Sequence, residues 1–238
     1  MWFIFGLVIP HKPLVVHCGA GHAEEAALYE KFGNTGVIWI ECNPNLVKRI
    51  NETIATFSNQ EVIIAALWSY SGKNIDFWIA NNLGSSSLCR PIEHKTIFPY
   101  VKFESGGSLV TSRLDELFPT REFSGGLLVL DLQGAEKEAL LGAEGIISKF
   151  DYILTEFQTR EVYENGSYLN DIQAIIGSDF KLVAQNVSRI HGYGNAFFAR
   201  GLSPGRLYVF RMLWCFLKLV NVHNLFVRRV LHKLSLRS

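Results

Sequence analysis

What most constrains this 238-residue chain is its rhythm. From Pro13 to Arg200, apolar runs of strand length alternate with helix-like stretches. That alternation builds a parallel sheet with helices on both faces. Strand runs lie at 13–18, 37–41, 61–68, 127–131 and 152–156, with an edge strand at 74–79. Helices are expected at about 23–32, 44–56, 135–148 and 169–176. The last two strands, 181–187 and 195–200, are joined by seven residues, too few for a crossover helix, so they pair as a hairpin. The expected fold is α/β: a doubly wound sheet of about seven strands with an antiparallel C-terminal hairpin. A C-terminal amphipathic helical tail follows it.

Three parts are expected: a short apolar segment at 1–12, the sheet domain at 13–200, and a basic helical tail at 201–238. The 17 Phe, 8 Tyr and 5 Trp are core-building residues that exclude a disordered chain. Four widely spaced cysteines without a CxxC fit a reduced compartment and give no support to a zinc site. Met1–Ile9 is too short and lacks the basic flank of a signal peptide. No uncharged run approaches the roughly 20 residues of a membrane span. The expected location is cytoplasmic, with the tail peripheral on the inner membrane face.

Charge is unevenly spread. Residues 1–179 carry 13 Lys/Arg and all 22 Asp/Glu; residues 180–238 carry ten Lys/Arg and no acid. On a helix at 100° per residue, Arg211, Lys218 and Arg229 fall within about 20° of one another, with Lys233 about 40° away. Residues 207–234 therefore read either as a helix meeting an anionic membrane surface or as one packed on the domain or a second subunit. Aliphatic residues interleave the cations too densely for nucleic acid.

Ligands of an open α/β sheet bind beyond the carboxyl ends of its strands. At that edge stands Gly19-Ala20-Gly21, a turn that lets backbone approach a ligand or simply connects strand to helix. Glu41 ends the second strand 22 residues after Gly19, near the spacing of a carboxylate that holds a ribose diol. Asp131 ends an otherwise aliphatic strand, with Glu136 five residues on and Glu156 ending the next strand. These acids could face a polar substrate, supply a general base, or cap the following helix.

Four segments carry a family resemblance: Val15-Val-His-Cys-Gly-Ala-Gly21, Ile40-Glu-Cys-Asn-Pro44, Ser112-Arg-Leu-Asp-Glu-Leu117 and Leu130-Asp-Leu-Gln-Gly-Ala-Glu-Lys-Glu-Ala-Leu-Leu-Gly-Ala143. Together they resemble the FkbM-type methyltransferases, S-adenosylmethionine-dependent enzymes with the class I, Rossmann-like fold. The resemblance covers about 13–200. It implies S-adenosylmethionine over Gly19, Ala20 and Gly21, its ribose on Glu41, and its adenine near Asn43, Leu67 and Trp68. The methyl group would then face Asp131 and Glu136; for taking the acceptor's proton Asp131 leads, ahead of Glu136, with His191 third, and residues 81–108 and 157–168 would shape the acceptor's pocket. That family usually methylates a hydroxyl of a sugar, glycolipid or secondary metabolite, so the implied partner is a small-molecule or lipid-linked sugar acceptor. The chain departs from the family pattern at three places: His17 replaces an acid at the methionine end, Ala23 a glycine, and Gln133 a glutamate. No metal is implied. Two other readings compete: an NAD-dependent oxidoreductase or epimerase, and a non-catalytic membrane-associated protein on a degenerate methyltransferase fold. The first lacks a third glycine in the turn and a Tyr-x-x-x-Lys pair.

Overall fold

The computed structural model describes Ile9 and residues 13–123, 125–188 and 190–215. The rest of the apolar segment 1–12 and the tail beyond Cys215 lie outside the described residues. Among the described residues, ten strands are formed: β1 (Leu14–Cys18), β2 (Gly36–Glu41), β3 (Gln60–Ile64), β4 (Ala66–Leu67), β5 (Asn74–Ala80), β6 (Phe103–Ser112), β7 (Gly126–Leu130), β8 (Phe150–Gln158), β9 (Phe180–Ser188) and β10 (Tyr193–Arg200). Seven of them make the main sheet, in the order β3-β2-β1-β7-β8-β10-β9. Its core pairs are parallel, and β10 is inserted antiparallel between β8 and β9. The doubly wound sheet and closing hairpin are thus as expected from the sequence.

Both sheet faces are buried, and the period-two alternation of a strand decides which side chain enters which core. Along β1 and β7, Val16, Cys18, Leu128 and Leu130 enter one cluster. Val15, Leu127 and Val129 enter the other. The first face is covered by helices Glu136–Leu141 and Leu169–Ile176, through Ala139, Leu140, Ile172 and Ile176. The second is covered by helices Ala26–Phe32 and Val47–Ile54, through Ala26, Tyr29, Ile50 and Ile54.

A further helix, described over 204–215, lies on that second face. Leu207, Phe210 and Trp214 pack against its cluster. Trp214 Nε1 donates to the Gln185 carbonyl at 3.0 Å, and Arg211 donates to the Leu182 carbonyl through Nε at 3.1 Å and Nη2 at 2.7 Å. Arg211, one of the cations of the polar stripe, stays exposed while its guanidinium is bound to strand β9. Tyr208, Val209 and Met212 point outward. Lys218, Arg228, Arg229 and Lys233 lie outside the described residues. Among the described residues, no helix is long and apolar enough to cross a membrane.

Several boundaries differ from the expectation, each for a physical reason. The first helix starts at Ala26 rather than 23, because Ala23 has φ +53°, a left-handed value that no right-handed helix contains. The run 61–68 is divided: β3 stays in the main sheet, while β4 leaves it and pairs with β6. The expected edge strand at 74–79 joins that second, three-stranded sheet, antiparallel to β6. Residues 103–108, expected to be irregular, begin β6. The helix expected at 135–148 ends at Leu141, where a Cβ on Gly142 would overlap the Trp68 carbonyl.

Candidate active site

The strand order reverses between β1 and β7, with β2 and β3 on one side and β8 on the other. At that switch the carboxyl ends of the strands open a crevice. Here the chain after β1 folds over the end of β2: the Gly19 and Ala20 amides donate to the Ile40 carbonyl at 2.9 and 3.1 Å. Gly19 has φ +87°, and a Cβ on it would overlap the Asp131 carbonyl at the end of β7. Only glycine lets these two strand ends touch. Gly21, at φ +52°, faces open space instead.

Glu41 fastens the turn. Its Oε2 accepts the Gly21 amide at 3.0 Å and its Oε1 accepts the Asn43 amide at 2.8 Å. Glu41 is buried, and burial raises its pKa against the opposing pull of those two amides and of the Cys42 thiol and amide. A cavity of about 500 Å³ lies over this floor, walled by His17, the Gly19–Gly21 turn, Glu25, Glu41, Leu67 and Asp131. His17 is not the anion that the resemblance puts at this place. Its Nδ1 is hydrogen-bonded to Tyr29 Oη at 2.9 Å, its ring stacks on Trp39 at 4.7 Å, and burial lowers its pKa to about 3. It is a neutral ring at pH 7.

Across the crevice, the loop after β7 gathers two carboxylates around one amide. Gln133 Nε2 donates to Asp131 Oδ1 at 2.7 Å and to Glu156 Oε2 at 3.2 Å. Asp131 opens into the crevice, but the surrounding walls withdraw it from bulk water and raise its pKa. Glu156 is raised well above the usual carboxylate range by burial and by the neighbouring charges of Asp131 and Glu136. Their mutual hydrogen bond pulls Asp131 down and pushes Glu156 up.

Glu136 has another place. It is 1% exposed, and its Oε1 accepts the Leu132 and Gly134 amides at 2.9 and 3.2 Å. It pins the loop that carries Asp131 and Gln133. Burial pushes its pKa up to about 7. Gln133 takes φ +54° on this loop, its carbonyl accepts Ser87 Oγ at 2.7 Å, and its Oε1 accepts Tyr163 Oη at 3.1 Å.

A second chamber of about 280 Å³ adjoins the first, and Asn82, Gly84 and Gln133 line both. Its other walls include His94, Phe98, Tyr100, Glu156, Gln158 and Tyr193. Residues from 81–108 and from 157–168 therefore meet around one space. His191 stacks between Phe98 and Tyr193, at 5.2 and 5.8 Å between ring centroids, and supports the wall from behind.

Of the sequence-derived residues, His17, Gly19, Ala20, Gly21, Glu41, Leu67 and Asp131 line the larger cavity, and Glu136 lines the smaller. Asn43 and Trp68 line neither. Asn43 supplies an amide to Glu41, and its Oδ1 accepts the Asn45 amide at 3.1 Å to cap the turn Pro44–Leu46. Trp68 packs against the hydrophobic clusters flanking the second sheet. The sequence did not single out Glu25, His94, Tyr100 or Tyr193. Only the irregularity of 81–108 pointed towards two of them. Among the described residues, no group of three His, Cys, Asp or Glu could hold a metal ion.

Known proteins match this arrangement. The methyltransferase FkbM domain matches residues 17–193. The 2-O-methyltransferase NoeI of Sinorhizobium fredii is 25% identical over 198 residues, covering 79% of this chain and 81% of NoeI. Among solved structures, magnesium protoporphyrin IX methyltransferase (ChlM) from Synechocystis, with bound SAM, superposes at a TM-score of 0.48. It has 12% identity and covers 84% of this chain and 75% of ChlM. The N-methyltransferase NodS from Bradyrhizobium japonicum superposes at a TM-score of 0.46 with 10% identity, covering 84% of each chain.

Proposed function

The chain belongs to the FkbM methyltransferase family, and from that premise we propose that it transfers a methyl group from S-adenosylmethionine to a hydroxyl of a sugar, glycolipid or secondary metabolite. The seven-strand sheet with β10 inserted antiparallel is the class I methyltransferase fold. The observation that carries the reading is the larger cavity, where the Gly19–Gly21 turn, the Glu41 carboxylate and Asp131 share one space.

The residues present fit the donor. Gly21 offers backbone with no atom within 4 Å of where a Cβ would stand. The Glu41 carboxylate stands on the cavity floor, where it would meet the ribose hydroxyls. Glu25 and Asp131 make the far wall acidic, which suits the ammonium and sulfonium charges. The bound donor supplies an electrophilic methyl carbon. The protein's own work is to align the acceptor oxygen with it and to take the hydroxyl proton. Alignment can supply on the order of 7–11 kcal/mol, and a positioned base a further roughly 10²–10⁴-fold. Asp131 is the proton acceptor in this reading, since a carboxylate of raised pKa is the better base near neutrality. Hydrogen bonds from Gln133 and Glu156 hold it in place. The 2-O-methyltransferase activity named for NoeI supports oxygen as the acceptor atom.

Calorimetric titration with S-adenosylhomocysteine and with NAD tests the donor. Binding of the first and not the second is expected. NAD binding in its place would overturn the reading. Transfer of a labelled methyl group to hydroxylated acceptors tests the reaction. Donor binding with no transfer to any of them would leave a binding protein.

A further inference from the structure

The smaller chamber is not needed to hold the donor, yet its wall is built with polar groups that lack partners. His94 is 3% exposed and its Nδ1 has no hydrogen-bond partner among the described residues. Gln158 is 5% exposed; its Oε1 accepts the Tyr163 amide at 3.1 Å, while its Nε2 has no partner. A buried donor or acceptor left unanswered is costly, so such groups are kept where something else answers them. His94 Nδ1 donates or accepts according to the tautomer of its ring, and Gln158 Nε2 donates. With Glu156 and Gln133, they line the chamber with groups of both kinds.

The mouth is aromatic. Tyr100 is 69% exposed and meets Phe98 edge-on at 6.1 Å, and Phe98 continues through His191 to Tyr193. An exposed tyrosine ring beside a polar chamber offers an apolar face and a hydrogen-bonding tip to a ligand that has both. The volume of about 280 Å³ sits just under the range of roughly 300–1,000 Å³ for drug-sized ligands. It suits one ring rather than a chain of them.

We propose that this chamber is the acceptor subsite and that it takes a single sugar ring, stacked at the Tyr100 mouth with its hydroxyls answered by Gln158, His94 and the Asp131–Gln133–Glu156 cluster. This rests on the hydroxyl-methylation reading above. An acceptor with one hydroxyl, such as a simple phenol, would satisfy the aromatic mouth but leave the buried polar groups unanswered. A ring bearing several hydroxyls satisfies both. Gln133 forms the threshold, since it lines both chambers and touches the base.

Saturation-transfer NMR of the full chain with the methyl glycosides of glucose, mannose, galactose and fucose, and with phenol as control, tests this. It is run with and without S-adenosylhomocysteine. At least one glycoside is expected to bind better than phenol, and Tyr100→Ala should weaken it tenfold or more while changing S-adenosylhomocysteine affinity less than twofold. Tyr100 is mostly solvent-exposed, so its loss leaves the fold intact. Glycosides that bind no better than phenol, or equally to wild type and Y100A, would overturn the proposal whatever the nucleoside does. Failure of S-adenosylhomocysteine to bind is read separately and would sink the methyl-donor reading instead.

Discussion

Replacing Glu136 with glutamine separates a clamp from a catalyst. The carboxylate is buried with Oε1 on two loop amides, and its pKa stands at about 7 against an ordinary 4.5. The folded protein therefore holds this proton more tightly than the unfolded chain. The stability this gives is complete below pH 4.5 and is lost as pH rises through 7. At 1.4 kcal/mol per unit, the loss over that interval is about 3 kcal/mol. Glu136→Gln keeps an oxygen for the Leu132 and Gly134 amides but cannot ionise. Urea denaturation at pH 5 and pH 8 should show the variant gaining about 3 kcal/mol on wild type between the two. Curves that stay parallel would refute the burial argument. Methyl transfer should remain within a few-fold of wild type if Glu136 only pins the loop. A loss of 10²-fold or more would make it a general base after all.

Gly19→Ala should cost about 3 kcal/mol, from a left-handed backbone and an overlap with the Asp131 carbonyl. Gly21→Ala should cost only about 1 kcal/mol, because its Cβ meets open space; urea curves compare the two, and equal losses would contradict the packing described. Glu41→Gln sets an amide against the Gly21 or Asn43 N–H, with an expected stability loss of about 2 kcal/mol. Calorimetry should show S-adenosylhomocysteine affinity falling at least tenfold, and unchanged affinity would remove Glu41 from the donor site. A chain ending at Cys215 should stay folded and lose binding to anionic vesicles in flotation. One ending at Ser203 also uncovers the contacts of Leu207, Phe210 and Trp214 and should lose roughly 3 kcal/mol.

The parallel strands and the hairpin were legible because each is a local pattern: a buried aliphatic run, or a connection too short for a helix. Glu41 and Asp131 were legible as polar residues ending such runs. What escaped the sequence depends on contacts between distant segments. Nothing local says that β4 abandons β3 to pair with β6, forty-five residues on at Ala66 and Thr111. Asn43 and Glu136 have side chains of the right chemistry, yet neighbouring amides already claim Asn43 Oδ1 and Glu136 Oε1. His94 begins a short helix and Tyr193 begins β10, far apart in the chain, so their meeting around one chamber has no sequence signature. Arg211 is the surface cation that periodicity indicates, but periodicity does not show that its guanidinium reaches the Leu182 carbonyl.

Asn82, Gly84 and Gln133 are a party wall: each chamber borrows them from the other. Whatever occupies the larger room fixes the partition against which the smaller one is fitted, and a tenant in the smaller room obstructs traffic through it. Steady-state kinetics should then show a compulsory sequence, nucleoside in first and out last, rather than random entry.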